Sequence, residues 1–398
     1  MMIYFTGLIA IILSGYTFYL LGLTLAAATV REKSVTTRSP QTRIAVLIPA
    51  HNEERVIART LQSLKKCNYP DHLYDCWVVA DNCTDRTAEV AIAEGANVVR
   101  RNNDQQKGKG HTLEFGFSKL LNQPKKYEGF LVLDADTVTD PNTLLVADEY
   151  LRSGNRVVQL SDMVEPAEGS WSNESVRIGF ILYNYVRPLG RKKLGLSAGL
   201  RGNGMIFSRE VIHKHKWNTY SLAEDLEFGL ELLLKGEMVA FAPEATVWAR
   251  MTHNPAYAES QRRRWEVGRY PVVAKYAPKL LRAGLTRREW KFIDAFIDLT
   301  MPPLVNLMLL LAVVFCVSFL LGFFSDSLSG WVPLIISGAG VLAGIAHLMV
   351  GLSVYPKSRV SLGYLLIGLP KYIVWKSMLY LKILVSGSEK KWVRTTRE

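Results

Sequence analysis

The chain has 398 residues, 49% of them apolar, and a formal net charge of +12. This length allows two ordinary domains or one domain with a membrane part, and the mean apolar content suits either class. The positive charge would suit nucleic acid. However, the basic residues gather beside the apolar runs, especially between residues 250 and 291, which favours anionic lipid or a diphosphate over nucleic acid.

Three long stretches contain no Asp, Glu, Lys or Arg: residues 1–30, 299–325 and 327–356. A helix needs about 20 apolar residues to cross a bilayer core, so each stretch is predicted to be a transmembrane helix. A buried helix of a soluble protein is the alternative for any one of them. The first stretch could also be a signal peptide ending in "LAAATV", but it lacks a basic start and its apolar core is too long.

Basic residues predict the orientation of these helices, because positively charged loops stay in the cytosol. Basic residues follow the first and third stretches and close the chain, whereas the loop "SDSLSG" has none. We therefore expect an integral protein of the cell (inner) membrane with its N-terminus outside. Residues 31–298 and the C-terminus would then lie in the cytosol.

Between residues 44 and 250 the sequence alternates short apolar runs with segments of helical spacing. The runs "RIAVLIPA", "YDCWVVAD", "ANVVRR" and "FLVLDADT" are predicted strands. This alternation predicts a parallel sheet covered by helices. Polar groups follow three of the strands at residues 51–54, 81–82 and 134–136. Because ligands of such sheets bind at the carboxyl ends of the strands, we predict a ligand site at this edge.

The strand "FLVLDADT" ends in two carboxylates, Asp134 and Asp136. Residues two apart on a strand point to one face, about 6–7 Å apart. Such a pair could bind a hard divalent cation and the sugar of a nucleotide. A polar strand end before the turn "TDPN" is the alternative.

Two further motifs follow the second and third strands. Asp81 could bind a ribose hydroxyl or a base N–H, or it could cap the next helix, although Asp85 is the better candidate for that cap. Lys109, in the loop "KGKG", could reach a diphosphate because the flanking glycines permit close approach. A solvated loop is the alternative.

The segment "AEDLEFGLELLLKG" is a predicted helix that begins with Glu224 and Asp225. Acids in a first helical turn complement the helix dipole, so capping is one interpretation. The other is that one of these carboxylates is a general base that takes a proton from an acceptor hydroxyl.

Beyond residue 250 the chain mixes aromatic and basic residues, as helices at a lipid headgroup interface do. We predict interfacial helices over residues 251–298, and an interfacial helix with a basic tail over residues 361–398. The cluster "QRRRW" at 261–265 adds guanidinium groups that bind phosphate and an indole on which a sugar can stack. Attraction to the membrane surface is the alternative explanation of its arginines.

Seven segments, taken in order, resemble the membrane-bound family-two glycosyltransferases, which include cellulose, chitin and hyaluronan synthases. They are "IPAHNEE", "VVADNCTD", "KGKGHTLEFGF", "LDADT", "GNGMIF", "AEDLEFG" and "QRRRW". The match covers Ile44 to about Tyr270, and the Gln-x-x-Arg-Trp element is its most diagnostic part. The resemblance implies an α/β, Rossmann-like glycosyltransferase-A domain over residues 31–250, a nucleoside-diphosphate sugar donor, usually UDP-linked, and inversion at the anomeric carbon.

The resemblance also implies a role for each motif residue. The nucleotide would be held by Glu53, Asp81, Lys109 and Asp134. The metal, Mg²⁺ or Mn²⁺, would be held by Asp136. Asp225 would be the base and Glu224 its neighbour, while Arg264 would stabilise the leaving diphosphate. The acceptor would be bound by Gly202, Asn203, Gly204, Gln261 and Trp265.

The sequence departs from the family pattern in three ways. The second element has Asp-Asn rather than Asp-Asp, the acidic element has Ala-Glu-Asp rather than Thr-Glu-Asp, and three spans are too few to enclose a polymer channel. The leading hypothesis is a glycosyltransferase for a cell-surface or extracellular polysaccharide. The alternatives are transfer of single sugars to a lipid-linked acceptor, action with another membrane subunit or as a homo-oligomer, and a non-catalytic nucleotide-sugar-binding subunit.

Overall fold

The computed structural model describes the chain in stretches, namely residues 2–31, 39–124, 126–165, 171–250, 255–325, 327–356, 364–368, 370–375 and 377–378. Side chains are described in these stretches except at residues 171–172, 255–267 and 365–366. The chain divides into two compact units. The sheet unit comprises Arg31–Ala167, Leu196–Phe292 and Glu389–Glu398. The apolar-helix unit comprises Met1–Val30, Glu168–Gly195 and Ile293–Ser388.

Strands of the sheet unit form one sheet, which has eight members within the described residues. The strands are β1 Ile44–Ala50, β2 Tyr74–Asp81, β3 Asn97–Arg101, β4 Gly129–Val132, β5 Thr137–Thr139, β6 Val157–Val164, β7 Met205–Ser208 and β8 Val239–Ala249. Their spatial order is β3-β2-β1-β4-β7-β6-β8-β5.

The sheet is parallel in one half and mixed in the other. β1 runs parallel to β2 and β4, and β2 runs parallel to β3, as the sequence predicts. β7 is antiparallel to both β4 and β6, and β5 is antiparallel to β8. The predicted parallel sheet is therefore confirmed for β1 to β4, the strands that the sequence identified, and the second half of the sheet is mixed. Strand–helix alternation does not reveal that β7 lies between β4 and β6.

Asp134 and Asp136 lie beyond the strand in which the sequence placed them. β4 ends at Val132, and the amide of Thr137 donates to the carbonyl of Asp134 across 3.2 Å, so the chain turns here. The argument that both carboxylates share one face of a strand was therefore wrong. The two residues lie instead in a turn, through which the chain leaves the core at the edge of the sheet.

Helices occur in both units. They are α1 Met2–Ala28, α2 Ile57–Leu64, α3 Thr87–Ala93, α4 Lys109–Leu121, α5 Thr143–Arg152, α6 Trp171–Phe180, α7 Arg187–Lys193, α8 Arg209–His215, α9 Glu224–Leu234, α10 Pro255–Arg287, α11 Trp290–Thr300, α12 Leu304–Phe323 and α13 Val332–Val354. A π-helical segment, Ile181–Val186, joins α6 to α7.

An aromatic cluster fixes α4 and α9 to the sheet. Phe117 of α4 packs edge-on against Phe130 of β4 and Phe207 of β7, with ring centroids 5.7 and 5.9 Å apart. Trp217 packs 4.4 Å from Phe228 of α9. All five side chains are at most 2% exposed. Aromatic pairs in such geometry stabilise a fold beyond their buried area, so the starts of α4 and α9 are held at one edge of the sheet.

Three helices in the described part of the apolar-helix unit are long and apolar enough to cross a membrane: Met2–Ala28, Leu304–Phe323 and Leu328–Val354. They coincide with the three apolar stretches of the sequence and are compatible with a membrane association. Most of the segment predicted to be an interfacial helix and tail, residues 361–398, lies outside the described residues.

A buried ion cluster joins α1, α7 and α11 within this unit. Arg191 Nε lies 3.1 Å from Asp294 Oδ2, and its Nη1 lies 3.1 Å from Asp298 Oδ2. The hydroxyl of Tyr19 donates to Asp294 Oδ1 across 2.6 Å. Buried charges persist where each is paired and hydrogen-bonded. The charged segment Glu168–Gly195, which lies inside residues 31–250, therefore groups with the apolar helices.

Candidate active site

Asp81 forms a buried ion pair at the carboxyl end of β2. Its Oδ1 lies 2.7 Å from Arg101 Nη1, and the two side chains are 6% and 7% exposed. Its Oδ2 accepts a 2.8 Å hydrogen bond from Thr112 Oγ1, and Asn82 Nδ2 donates to Oδ1 across 3.1 Å. The sequence analysis missed Arg101. Its signal was its position at the end of β3, directly opposite Asp81 in the sheet register.

The segment that follows β1 is tied to the start of α3. The amide of Glu53 donates to Thr87 Oγ1 across 2.7 Å. Asp85 Oδ1 accepts from the amide of Thr87 across 3.0 Å at the beginning of α3. The N-cap residue of α3 is Arg86, so the prediction that Asp85 is the cap was wrong by one residue. Glu53 is therefore held beside the ends of β1 and β2, where the sequence predicted a ligand site.

Lys109, the first residue of α4, connects two loops at this edge. Its Nζ donates to Asp134 Oδ1 across 2.5 Å and to the carbonyl oxygen of Gly202 across 2.6 Å. Burial alone would lower the pKa of this amine, but the charges of Asp134 and Glu224 outweigh it and raise the pKa to about 12. Lys109 is therefore an ammonium ion.

Asn203 lies beneath the turn that carries the two aspartates and is 3% exposed. Its Oδ1 accepts from the Asp134 amide across 3.1 Å and from Thr137 Oγ1 across 3.2 Å. Its Nδ2 donates to Asp162 Oδ1 across 3.0 Å. Sequence reasoning did not single out Asp162. The amide of Asn203 thus fastens the Asp134–Thr137 turn to β6, and its acceptor role stays a prediction.

The glycines on either side of Asn203 allow close approach. Gly202 has a φ of +87°, and a Cβ there would lie 3.0 Å from Asp225 Oδ2 and 3.8 Å from Lys109 Nζ. Gly204 has a φ of +68°, and a Cβ there would lie 2.9 Å from a methyl group of Val247. The missing side chain of Gly202 therefore lets the ammonium of Lys109 and the carboxylate of Asp225 both lie within 4 Å of the place that a Cβ would take.

Glu224 and Asp225 begin α9, as the sequence predicts. Burial, together with the charge of Asp225, raises the pKa of Glu224 to about 7. Burial also raises the pKa of Asp225, although Lys109 and Arg201 oppose that rise. A carboxylate with a raised pKa is a stronger base, so this pair is suited to accepting a proton near neutral pH.

The acid-rich turn suits a divalent cation whose remaining coordination positions are filled by a diphosphate. Asp136 is 8% exposed. In the parts of the chain that are described, no three His, Cys, Asp or Glu side chains form a metal site by themselves. Mg²⁺ commonly takes one or two carboxylates together with substrate phosphates. Burial and the charge of Asp134 raise the pKa of the nearby Asp162 well above its usual value, so added positive charge would be favourable here.

The motif "QRRRW" lies in α10, the helix Pro255–Arg287. The side chains of Gln261, Arg264 and Trp265 lie outside the described residues. The structure thus brings together Asp134, Lys109, Gly202, Asn203 and Asp225 of the predicted site, and Asp81 lies with Thr112 of the same helix α4 as Lys109.

A family model described as "Glycosyltransferase like family 2" matches residues 40–268, more than half of the chain. A probable glycosyltransferase of Bacillus subtilis (strain 168), YdaM, is 27% identical over 253 residues, which are 60% of this chain and 58% of YdaM. A beta-monoglucosyldiacylglycerol synthase of Nostoc sp. is 26% identical over 270 residues, 65% of this chain and 56% of that protein. The chain thus spans less than two thirds of the length of these relatives.

The fold also resembles a solved structure, the mannosyltransferase PcManGT from Pyrobaculum calidifontis in complex with GDP-Man and Mn²⁺. The TM-score is 0.58 at 16% sequence identity, covering 96% of this chain and 100% of the other. The sheet unit therefore has the Rossmann-like glycosyltransferase-A fold that the sequence predicted, and the chain belongs to glycosyltransferase family 2.

Proposed function

We propose that this protein is an inverting glycosyltransferase that moves a sugar from a nucleoside-diphosphate sugar to a saccharide acceptor. A UDP-linked sugar is the first candidate donor. The product would be a cell-surface or extracellular polysaccharide. One observation carries the proposal. The ammonium of Lys109 contacts Asp134, the proposed donor residue, and the carbonyl oxygen of Gly202, and the carboxylate of Asp225 approaches the same glycine.

The chemistry follows from this arrangement in one displacement. The acceptor oxygen forms a bond to the anomeric carbon while the bond from that carbon to the diphosphate oxygen breaks. The acceptor proton passes to Asp225, and the diphosphate leaves with the bonding electron pair. Lys109 and Arg264 would stabilise that developing charge. A single displacement inverts the anomeric carbon and needs no nucleophilic Ser or Cys.

We assign the divalent cation, Mg²⁺ or Mn²⁺, to Asp136. Such a cation would neutralise charge on the diphosphate and so favour its departure. The residues around Asp136 fit this role because they are acidic and because Lys109 neutralises only part of their charge. The complex of PcManGT with GDP-Man and Mn²⁺ supports both the donor class and the metal, and it makes a GDP-linked sugar the first alternative donor.

A second candidate function is transfer of one sugar to a lipid or lipid-linked acceptor. Two observations favour it. A relative at 26% identity is a beta-monoglucosyldiacylglycerol synthase, and the three apolar helices would keep the protein close to lipid. In either case we propose that the sheet unit lies in the cytosol at the inner membrane, with the N-terminus outside. Labelling of Cys83 with an impermeant thiol reagent in intact cells would contradict that orientation.

The decisive experiment is a screen of the purified protein for nucleotide release from a panel of UDP- and GDP-linked sugars with Mn²⁺ or Mg²⁺. Oligosaccharides and diacylglycerol are offered as separate acceptors, and products are identified by mass spectrometry. We expect one preferred donor and loss of release with EDTA. Full activity in EDTA would contradict the metal assignment. Release without any acceptor dependence would contradict the transfer itself, and a non-catalytic subunit would show no release with any donor.

A further inference from the structure

The helix α10 carries the Gln-x-x-Arg-Trp motif, yet its motif residues are separated from the base by some 40 positions in the sequence. Positions 261, 264, 265 and 268 recur at helical spacing, so they share one face of α10. The contact that Gly268 makes therefore affects the distance between this face of α10 and Asp225, the proposed base.

Gly268 lies directly against the segment that precedes the base. A Cβ on Gly268 would lie 2.9 Å from Leu222 Cβ, 3.3 Å from the Leu222 carbonyl carbon and 3.4 Å from its oxygen. These are backbone and near-backbone atoms, which cannot rotate away as the end of a flexible side chain can. Leu222 is three residues before Asp225, and Gly268 is three residues after Trp265. In sequence, the contact is thus three residues from Asp225 on one side and three residues from Trp265 on the other.

Further along α10, Lys275 and Tyr276 bond to acidic side chains of α9. We call Glu227, Lys275 and Tyr276 the clamp. Lys275 Nζ donates to Glu227 Oε1 across 2.6 Å, and the hydroxyl of Tyr276 donates to Glu231 Oε1 across 2.6 Å. Tyr276 is 1% exposed and Glu227 is 7% exposed. Burial raises the pKa of Glu227, but the hydrogen bond from Lys275 outweighs it, so the net shift is downward. Glu227 is therefore a charged, paired group that joins α10 to the first turns of α9.

We propose that Gly268 is a positioning residue: its lack of a side chain lets α10 lie against Leu222 and so sets the distance between the motif face and the carboxylate of Asp225. The clamp of Glu227, Lys275 and Tyr276 holds this register. The inference rests on the proposed function, because Asp225 and the motif must act on one substrate. It adds a residue that touches no substrate but decides whether the acceptor hydroxyl reaches its base.

The test exchanges the Cβ between the two sides of the contact. Gly268→Ala inserts a Cβ 2.9 Å from Leu222 Cβ, and Leu222→Gly removes that atom of Leu222. We expect Gly268→Ala to lower kcat by about 100-fold, because a displacement of about 1 Å near the reacting groups has this effect. The Kd for UDP or GDP should change far less than kcat, because Glu53, Asp81, Lys109 and Asp134 lie outside α10 and only Arg264 of the proposed nucleotide residues lies on it. The double variant should regain at least about tenfold of the lost kcat.

Gly22→Ala on α1 is the matched control, because nothing lies within 4 Å of a Cβ there. A folded Gly268→Ala protein with wild-type kcat would overturn the proposal, as would a double variant that is no better than Gly268→Ala. Should Gly268→Ala fail to fold, the double variant Lys275→Met/Tyr276→Phe removes the polar bonds of the clamp while keeping the ring of residue 276. A kcat unchanged in that variant would also overturn the proposal.

The same cycle is measured as apparent melting temperatures in detergent, which need no activity. Compensation between Gly268→Ala and Leu222→Gly is expected there as well, because the two residues are in contact. Additive melting shifts would contradict the contact itself. A wild-type protein that transfers no sugar from any donor would instead contradict the proposed function, so the two failures can be told apart.

Discussion

Lys109 and Asp134 form the central contact of the candidate site, with the Lys109 ammonium 2.5 Å from Asp134 Oδ1. The same ammonium lies 2.6 Å from the carbonyl oxygen of Gly202. About a quarter of the Lys109 side chain is exposed, so the charge borders the site rather than lying in the core. One ammonium thus connects Asp134 to the turn beside Asp225.

Lys109→Met should lower the affinity for the nucleotide. Hydrogen bonds to charged groups are worth about 1.5–3 kcal/mol, so we expect the Kd for UDP or GDP to rise about 10- to 100-fold. Isothermal titration calorimetry with the nucleotide and Mn²⁺ measures this change directly. Lys119→Met on the same helix is the control, because Lys119 is exposed at the other end of α4. Equal affinity of the Lys109 variant and this control would contradict the donor role.

Asp225→Asn should abolish transfer while leaving nucleotide binding intact. Asparagine has nearly the same shape but cannot accept the proton, and loss of a general base costs about 10²- to 10⁴-fold in kcat. Single-turnover transfer and nucleotide titration of the same preparation separate the two effects. Glu210→Gln, an exposed acid on α8, serves as the control. Lost nucleotide binding in the Asp225 variant would show that this carboxylate holds the donor instead.

The sequence was sufficient for the parallel half of the sheet and for the edge on which the site lies. β1, β2 and β3 occur where the apolar runs predict strands, and α9 begins at the predicted acids. Local patterns determine these features, because a strand period and a helical first turn are visible within ten residues. Asp85 is one such local feature, because its hydrogen bond to the amide of Thr87 lies within three residues at the beginning of α3.

Features that depend on distant partners could not be predicted. The pair of Asp81 and Arg101 requires the register between β2 and β3, which no single stretch contains. The early end of β4 depends on Asn203, about 70 positions later, whose amide holds the turn at Asp134. Similarly, the charged segment around Arg191 could not be assigned to the apolar-helix unit from the sequence. Its partners Asp294 and Asp298 follow about 100 positions later.

The raised pKa of Glu224 predicts how stability depends on pH. The pKa of a glutamate in an unfolded chain is about 4.3, whereas the pKa of Glu224 in the folded protein is about 7. Between these values the folded state binds more protons, so the free energy of unfolding falls as pH rises from about 4.3 to 7. Glu224→Gln cannot ionise and should lose this decline. The variant should therefore melt at a higher temperature than the wild type at pH 8, with the advantage shrinking toward pH 5.

Melting temperatures in detergent at several pH values measure this difference. Asp225 and Lys109 interact with Glu224, so the difference between the two proteins reports the titration of Glu224 together with its effect on these neighbours. A difference between the two proteins that stays constant from pH 5 to pH 8 would contradict a raised pKa at Glu224.

Asn203→Leu should destabilise the sheet unit and disrupt the donor site together. Leucine fills a similar volume but leaves the Asp134 amide, the Thr137 hydroxyl and the Asp162 carboxyl without the bonds that Asn203 provides. Each buried group left unsatisfied costs about 1–3 kcal/mol. We expect a clear fall in melting temperature and loss of metal-dependent nucleotide binding. Asn122→Leu is the control, because the side-chain amide of Asn122 donates to the carbonyl of Ser118 in an exposed position. An Asn203 variant that keeps its melting temperature and loses only acceptor affinity would show that Asn203 acts on the acceptor rather than on the turn.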